Sequence, residues 1–230
     1  MKIISVKHLT KRYGDLLAVD DISFDVDSGS IFGLIGPNGA GKSTIINVLS
    51  GQLYPTGGSA EVDGYDVSKQ RLQLKRIMGL LPEDVNLPSF LTTREYLEFV
   101  AGTYGMKNAA EKVDEHLKFF GVDHRQDVLC KDLSRGEKER LMLAAAFIHE
   151  PKVVFIDEPF HGIDPLSQLK LRKFLRGYLK KGTIILCTHV LSLAKDICDE
   201  VAIIDKGKIV AVEKTKKIKD LEKFFLSKVK

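Results

Sequence analysis

A glycine-rich segment at residues 36–44 reads Gly36-Pro37-Asn38-Gly39-Ala40-Gly41-Lys42-Ser43-Thr44. It satisfies the pattern G-x-x-x-x-G-K-[ST] and lies between the apolar run IFGLI and a stretch of helical character. Glycines let the backbone curl so that successive N–H groups point at phosphate oxygens, and the following helix adds its positive end. In such a loop Lys42 contacts the β- and γ-phosphates and Ser43 binds Mg²⁺. A plain glycine turn before a helix is the alternative, but the context favours nucleotide binding.

Strands and helices alternate on both sides of this loop. Ile22, Phe24 and Val26 alternate with polar residues as in a half-buried strand, and Asp63-Gly64 predicts a hairpin turn. After Pro151 the strand-like runs VVFID, TIILCT and VAIID are separated by helical stretches, which predicts a parallel sheet with crossover helices. We expect an α/β fold whose core has a mostly parallel sheet, with an antiparallel β subdomain near the N-terminus.

Residues 92–149, approximately, have a different, helical character. Thr92 and Glu95 have capping-box spacing, and helices are predicted over Ala109–Phe120 and Glu137–His149. We therefore predict a single domain, 1–230, with three parts. The core with its N-terminal β layer comprises residues 1–83 and 151–213. The inserted helical subdomain covers about 84–150, and a C-terminal helix covers 214–230. The lysine-rich tail predicts either a helix packed on its own domain or one that touches a membrane surface or partner.

Composition excludes several classes of protein. The 230 residues are 44% hydrophobic and 29% charged, which is ordinary globular usage. The longest apolar run, Leu141–Ile148, is far shorter than the roughly 18 residues of a membrane span. A net charge of +4 is too weak and too well mixed to indicate nucleic acid. The three cysteines show no metal-binding spacing, so we expect a reducing, cytoplasmic location.

Two carboxylates follow the buried run VVFI, at Asp157 and Glu158. A strand that ends there delivers Asp157 to the edge where open α/β sheets bind ligands, and Asp157 would hold Mg²⁺ through its water shell. Glu158 could then orient or deprotonate an attacking water. His189 ends another predicted strand and could contact the γ-phosphate. The alternatives are an acidic strand end before a proline turn and a structural histidine.

The ordered set of motifs resembles the nucleotide-binding subunit of ATP-binding cassette (ABC) transporters over essentially the whole chain. That set comprises Tyr13, the loop 36–44, LLPE (80–83), LSRGE (133–137), FIDEP (155–159), HGIDP (161–165) and His189. The resemblance implies that Tyr13 stacks on adenine, although a core aromatic is its alternative. It also implies that Glu83 stands where the family has a Mg²⁺-contacting glutamine, and that Asp164 carries a turn at a dimer interface.

The signature segment departs from the family pattern LSGGQ. Here it reads Leu133-Ser134-Arg135-Gly136-Glu137, and in the family it contacts the γ-phosphate bound to the other subunit of a dimer. Arg135 could crowd that site or add charge opposite the phosphate. Ser134 and Glu137 also form a plain capping box, so a well-capped helix start is the alternative.

The resemblance implies an ATPase that uses ATP and Mg²⁺ and drives a membrane transporter from the cytoplasmic face. Its expected partners are a second nucleotide-binding subunit, identical or not, and an integral membrane permease; no nucleic acid is expected. Residues 80–99 look most like members that serve export-type permeases. The alternatives are a stand-alone soluble ABC-type ATPase in assembly, DNA or ribosome processes, and a binding module without hydrolysis. Glu158 and His189 argue against the latter.

Overall fold

The computed structural model describes residues 1–159 and 165–229, and within them it contains ten strands and eight α-helices. The strands are β1 (Lys2–Tyr13), β2 (Leu16–Asp27), β3 (Ile31–Ile35), β4 (Gly57–Val62), β5 (Tyr65–Asp66), β6 (Met78–Leu81), β7 (Val153–Asp157), β8 (Thr183–Thr188), β9 (Glu200–Asp205) and β10 (Lys208–Lys214). The helices are α1 (Lys42–Leu49), α2 (Arg71–Ile77), α3 (Thr93–Thr103), α4 (Ala109–Phe120), α5 (Arg135–Phe147), α6 (Pro165–Tyr178), α7 (Leu191–Ile197) and α8 (Leu221–Leu226).

A six-stranded sheet in the order β10-β9-β3-β8-β7-β6 forms the centre of the fold. Its pairs are parallel except for β10 with β9. Strands β3, β7 and β8 are buried along their whole length, as their continuous apolar sequences predict for strands covered on both faces. Their register pairs Ile35 with Thr188 and Asp157 with Cys187, so the carboxyl ends of three strands meet at one edge.

A second, antiparallel sheet has the order β2-β1-β4-β5, as expected for the N-terminal β layer. Helix α1 contacts β2 and β4 on one side and β7 and β8 on the other, so it lies between the two sheets. Its Ile45 and Ile46 are almost fully buried there. Each such isoleucine contributes about 1.5–3 kcal/mol by leaving water, which secures the helix that follows the glycine loop.

Helices α3, α4 and α5 lie within residues 84–150 and pack against one another. The predicted bounds of α4 are confirmed, whereas α5 begins and ends two residues earlier than predicted. It begins earlier because Ser134 is the N-cap, so the capping box places the first helical residue at Arg135. It ends earlier because Glu150, with φ 52°, turns the chain towards Pro151.

The prediction of a helix over all of 214–230 was wrong. Lys214 is the last residue of β10, Thr215–Lys217 form a short 3₁₀ turn, and α8 has only six residues. Leu221 is buried, and Phe224, Phe225 and Val229 pack against the core of the same chain. The apolar side of the tail is thus used internally. Among the residues that the structure describes, no helix is both long and apolar enough to span a bilayer.

Candidate nucleotide-binding site

The glycine loop follows β3 directly, and close packing explains why two of its positions are glycine. A Cβ on Gly36 would lie 2.3 Å from the carbonyl oxygen of Ile204. Gly41 has φ 104°, and a Cβ there would lie 2.4 Å from the carbonyl oxygen of Ala18. The loop therefore passes closer to neighbouring backbone than any side chain would allow, and it delivers the chain to the start of α1.

Lys42 is the first residue of α1 and is only 6% exposed. Its ammonium group donates hydrogen bonds to the carbonyl oxygens of Gly36 (2.9 Å) and Pro37 (3.0 Å). The charge is thereby held over the loop, next to the first turn of α1, whose N–H groups have no partners within the helix. Backbone donors, a helix N-terminus and an ammonium group converge at one place, and this combination binds phosphate.

A cavity of about 680 Å³ extends from this loop to the acidic strand end. Tyr13 lies at one end of the cavity with a 44% exposed side chain, and the Lys11 ammonium is 5.0 Å from its ring centre. A core aromatic would be buried, so this alternative does not describe Tyr13. The remaining lining includes Asn38, Gly39, Gly41, Lys42, Ser43, Thr44, Glu83, Asp157 and Glu158. One cavity thus brings together Tyr13, most of the loop 36–44 and the three predicted metal residues, although Gly36, Pro37 and Ala40 do not line it. Asp164 lies outside the described residues.

Asp157 is the most strongly perturbed carboxylate of this cavity. It is 4% exposed, and burial raises its pKa to about 6. A hydrogen bond with Ser43 and the charge of Lys42 oppose this rise in pKa, whereas Glu83 and Glu158 add to it. Its Oδ1 atom is buried and has no hydrogen-bond partner among the described residues. A buried acceptor beside two further carboxylates is an environment that a cation would stabilise.

These residues fit Mg²⁺. The donors are the hard oxygens of Ser43, Asp157 and Glu83, which Mg²⁺ prefers, and Glu83 is exposed at the mouth of the cavity. The described residues form no cluster of three or more His, Cys, Asp or Glu side chains able to hold a metal by themselves. Mg²⁺ commonly binds through one or two protein ligands, substrate phosphates and water, so a sparse set of this kind suits it.

Glu158 is held in place by the strand end next to its own. With φ 50° it adopts a left-handed backbone conformation, and its N–H donates to the carbonyl oxygen of Cys187 at 3.0 Å. Its Oε1 accepts hydrogen bonds from the backbone N–H (3.0 Å) and Nδ1 (2.7 Å) of His189, and its Oε2 accepts one from the Thr188 hydroxyl (3.1 Å). Because an ionised carboxylate only accepts, the proton of the neutral imidazole lies on Nδ1.

The signature segment 133–137 forms the start of α5. The Ser134 hydroxyl accepts from the Glu137 N–H (3.3 Å), and the Glu137 carboxylate accepts from the Ser134 N–H (2.8 Å). Burial opposes ionisation of Glu137, but the hydrogen bonds from Ser134 and the charge of Arg125 outweigh it and lower its pKa. The capped helix start is therefore formed in this chain, with Gly136 in the first turn.

Arg135 contacts a residue that the motif analysis missed. Its Nε lies 3.2 Å from Oε1 of Glu139, which is only 5% exposed. Both line a second cavity of about 290 Å³, together with Glu83, Asp157, Glu158 and His189. The i,i+4 spacing of Arg135 and Glu139 was the available sequence signal for this pair. Within a single chain, Arg135 thus lines the same cavity as the catalytic candidates Glu158 and His189.

Residues 19–161 match the family model described as ABC transporter. The chain belongs to the ABC transporter family. It is 36% identical over 212 residues to the probable multidrug ABC transporter ATP-binding protein YbhF of Escherichia coli (strain K12), covering 91% of this chain and 36% of the relative. It is 37% identical over 206 residues to the Nod factor export ATP-binding protein I of Mesorhizobium japonicum, covering 88% and 61%. This ABC transporter chain therefore spans about a third to three fifths of these relatives.

Solved structures agree with this assignment. The structure described as the ATP-binding subunit of an ABC transporter superposes with a TM-score of 0.88 at 32% identity, covering 97% of this chain and 94% of that one. A dimeric ATP-binding cassette, MJ0796, bound to ADP and Pi has the same fold, with a TM-score of 0.85 at 21% identity over 92% and 98% of the two chains. The comparisons confirm the predicted family and its α/β fold.

Proposed function

We propose that this chain hydrolyses the γ-phosphate of MgATP and thereby powers the export of a compound through a separate membrane permease. The observation that carries the proposal is the Glu158–His189 pair. Glu158 lines the same cavity as the loop lysine and Asp157, and His189 lines the second cavity together with Asp157 and Glu158. The relatives named as multidrug and Nod factor export ATP-binding proteins support the direction of transport.

The proposed reaction is an in-line attack of water on the γ-phosphate. Lys42 and the loop N–H groups hold the β- and γ-phosphates, and Tyr13 stacks on the adenine. Ser43, Asp157 and Glu83 are the residues that would hold Mg²⁺, which when bound would neutralise phosphate charge. Glu158 orients the water and accepts its proton, while His189 and Thr188 keep the carboxylate in position. In this scheme the chain accelerates hydrolysis by positioning the attacking water and the γ-phosphate and by stabilising the negative charge on the phosphates.

The proposed assembly contains two nucleotide-binding subunits and an integral membrane permease, with this chain on the cytoplasmic face. Ser134, Arg135, Gly136 and Glu137 would contact the γ-phosphate bound to the second subunit, and Asp164 would lie at the turn between the subunits. The exposed Glu83 and the 83% exposed Phe90 belong to one surface stretch that suits contact with the permease. Dimeric cassettes among the structural neighbours support the paired arrangement.

Substitution Glu158→Gln tests the catalytic assignment. The amide retains the shape of the side chain but cannot accept the proton, so we expect ATP binding to persist and turnover to fall at least about 100-fold. Release of inorganic phosphate measures turnover, and equilibrium dialysis with labelled ATP measures binding. The exposed Glu111→Gln is the matched control and should behave like the unmodified chain. Turnover within a few-fold of normal in Glu158→Gln would exclude Glu158 as the base.

Copurification tests the assembly. The chain is isolated by affinity purification from gently solubilised native cells, and the accompanying proteins are identified by mass spectrometry. We expect a polytopic membrane protein in near-stoichiometric amount. Recovery of soluble proteins alone, in several detergents, would instead favour the stand-alone soluble ATPase and would leave the ATP chemistry intact.

A further inference from the structure

A groove between α4 and α6 has an aromatic floor that the nucleotide site does not use. The groove encloses about 660 Å³, within the roughly 300–1,000 Å³ of small-molecule sites. Its floor consists of rings packed against one another at centroid distances of 4.8–5.4 Å, namely Phe119, Phe120, Phe147, Phe174 and Tyr178. Phe119 is 56% exposed, whereas an aromatic ring in a hydrophobic core is buried by neighbouring side chains. The groove shares no lining residue with the two cavities of the nucleotide site.

The rim of this aromatic groove carries uncompensated positive charge. Its two acidic residues are neutralised, because Glu115 pairs with Lys112 (3.0 Å) and Glu150 pairs with Lys181 (3.1 Å). Lys170 and Lys173 are exposed on α6, and neither has a carboxylate within 4.0 Å among the described residues. The apolar floor therefore lies directly beside two ammonium groups that no carboxylate of the described residues pairs with.

A smaller recess of about 180 Å³ adjoins the groove on the other side of Phe119 and Phe120. Lys118, Arg140 and Lys170 line it, so Lys170 borders both spaces. The Nε atom of Arg140 is buried and has no hydrogen-bond partner among the described residues. A buried guanidinium donor without an acceptor is costly, and an anion in the recess would satisfy it.

We propose that the aromatic groove is a binding site for an amphipathic anion, specifically a medium-chain fatty carboxylate. The acyl chain would lie on the aromatic floor, and the carboxylate would lie at Lys170, which borders both spaces, with Lys173 on the groove side and Arg140 on the recess side. Lys118, Arg140 and Lys170 surround one small recess, which suits a single anionic headgroup better than the distributed charges of an acidic peptide. The site is independent of the proposed ATPase reaction and would be present whether or not that reaction occurs.

Dodecanoate is the probe, and its binding is followed by displacement of the fluorescent aryl sulfonate ANS from the full chain. We expect saturable displacement at one dodecanoate per chain. The uncharged dodecan-1-ol should bind at least about 10-fold more weakly because it lacks the charge-assisted hydrogen bonds. The double variant Lys170→Glu/Lys173→Glu should lose at least about 10-fold in dodecanoate affinity and retain normal ATP binding, which shows that it is folded.

The matched control is Lys7→Glu/Lys107→Glu, which makes the same charge change at two exposed lysines elsewhere. It should bind dodecanoate like the unmodified chain. Equal losses in both double variants would reduce the effect to net charge and overturn the proposal, as would the absence of saturable displacement. If the unmodified chain does not bind dodecanoate but self-associates, and Phe119→Ser abolishes this self-association, the groove would be assigned to a second copy of the chain. Capture of an acidic peptide but not of dodecanoate would assign it to a protein partner.

Discussion

At the residue scale, Asp157 and Glu158 are neighbours in sequence but lie in different environments. Asp157 is the last residue of a buried strand, and its carboxylate points into the loop cavity with a raised pKa. Glu158 has left-handed backbone geometry and is bound by Thr188 and His189 of the adjacent strand end. A non-glycine residue with positive φ stores strain, and such strain concentrates at functional sites. The turn thus directs two like charges into separate environments, which suit the proposed tasks of metal binding and water activation.

The raised pKa of Asp157 predicts a pH-dependent gain in stability for Asp157→Asn. The folded pKa of about 6 exceeds the ordinary 3.8, so the stability linked to this group is present below about pH 4 and is lost as the pH rises through 6. In the absence of nucleotide and Mg²⁺, we expect the variant to gain about 2 kcal/mol more in unfolding free energy at pH 7.5 than at pH 4. Urea denaturation at the two pH values measures the difference.

The exposed Asp127→Asn serves as the control for this experiment and should show no such difference. Asp157→Asn should also weaken the Mg²⁺-dependent part of ATP binding, since it removes a hard anionic ligand. An equal effect of Asp157→Asn on stability at both pH values would show that the carboxylate does not carry a buried charge.

At the element scale, two helices begin with the same capping box but only one of them carries the family signature. Thr92 and Glu95 cap α3 with hydrogen bonds of 2.8 and 3.2 Å, and Ser134 and Glu137 cap α5 with bonds of 2.8 and 3.3 Å. The local geometry is thus nearly the same at both helix starts. Ser134 would differ from Thr92 in that it also contacts the nucleotide bound to a second subunit. Alanine variants of the two residues separate the contribution of helix capping from that of nucleotide contact.

We expect Thr92→Ala and Ser134→Ala to lower the unfolding free energy by similar amounts, about 1 kcal/mol each, because each removes one N-cap hydrogen bond. ATP turnover should fall in Ser134→Ala alone, since only Ser134 is proposed to reach the γ-phosphate of the partner's ATP. Denaturation curves and phosphate release measure the two effects. Normal turnover in Ser134→Ala would show that segment 133–137 only caps α5 and does not contribute to ATP hydrolysis.

At the scale of the whole molecule, His149 joins the helical segment to the sheet. Its Nε2 donates to the carbonyl oxygen of Met78 in β6 (3.0 Å), and its ring stacks on Tyr104 with centroids 3.6 Å apart. Burial lowers its pKa to about 4, although the Met78 bond opposes this. The folded state therefore favours a neutral His149 imidazole, which lies where the helical segment contacts strand β6.

This depressed pKa predicts acid sensitivity of the fold. Stability linked to His149 is fully present above pH 6.5, its ordinary pKa, and is lost as the pH falls from there to about 4. We expect His149→Gln, which keeps a donor for Met78, to reduce the loss of unfolding free energy over that interval by about 2 kcal/mol. The exposed His124→Gln is the control. The same pH profile in His149→Gln and the unmodified chain would contradict the assignment.

The amino-acid sequence was sufficient to predict the glycine loop, the buried strands that lead to Asp157 and His189, and the capping boxes at Thr92 and Ser134. These features depend on local chemistry: glycine geometry, continuous apolar runs and capping spacing. The three-dimensional fold was needed to show that Thr188 and His189 bind Glu158, that Arg135 pairs with Glu139, and that the tail packs on its own core. Strand order and register place residues about 30 positions apart within 3 Å of each other, and no local pattern encodes that distance.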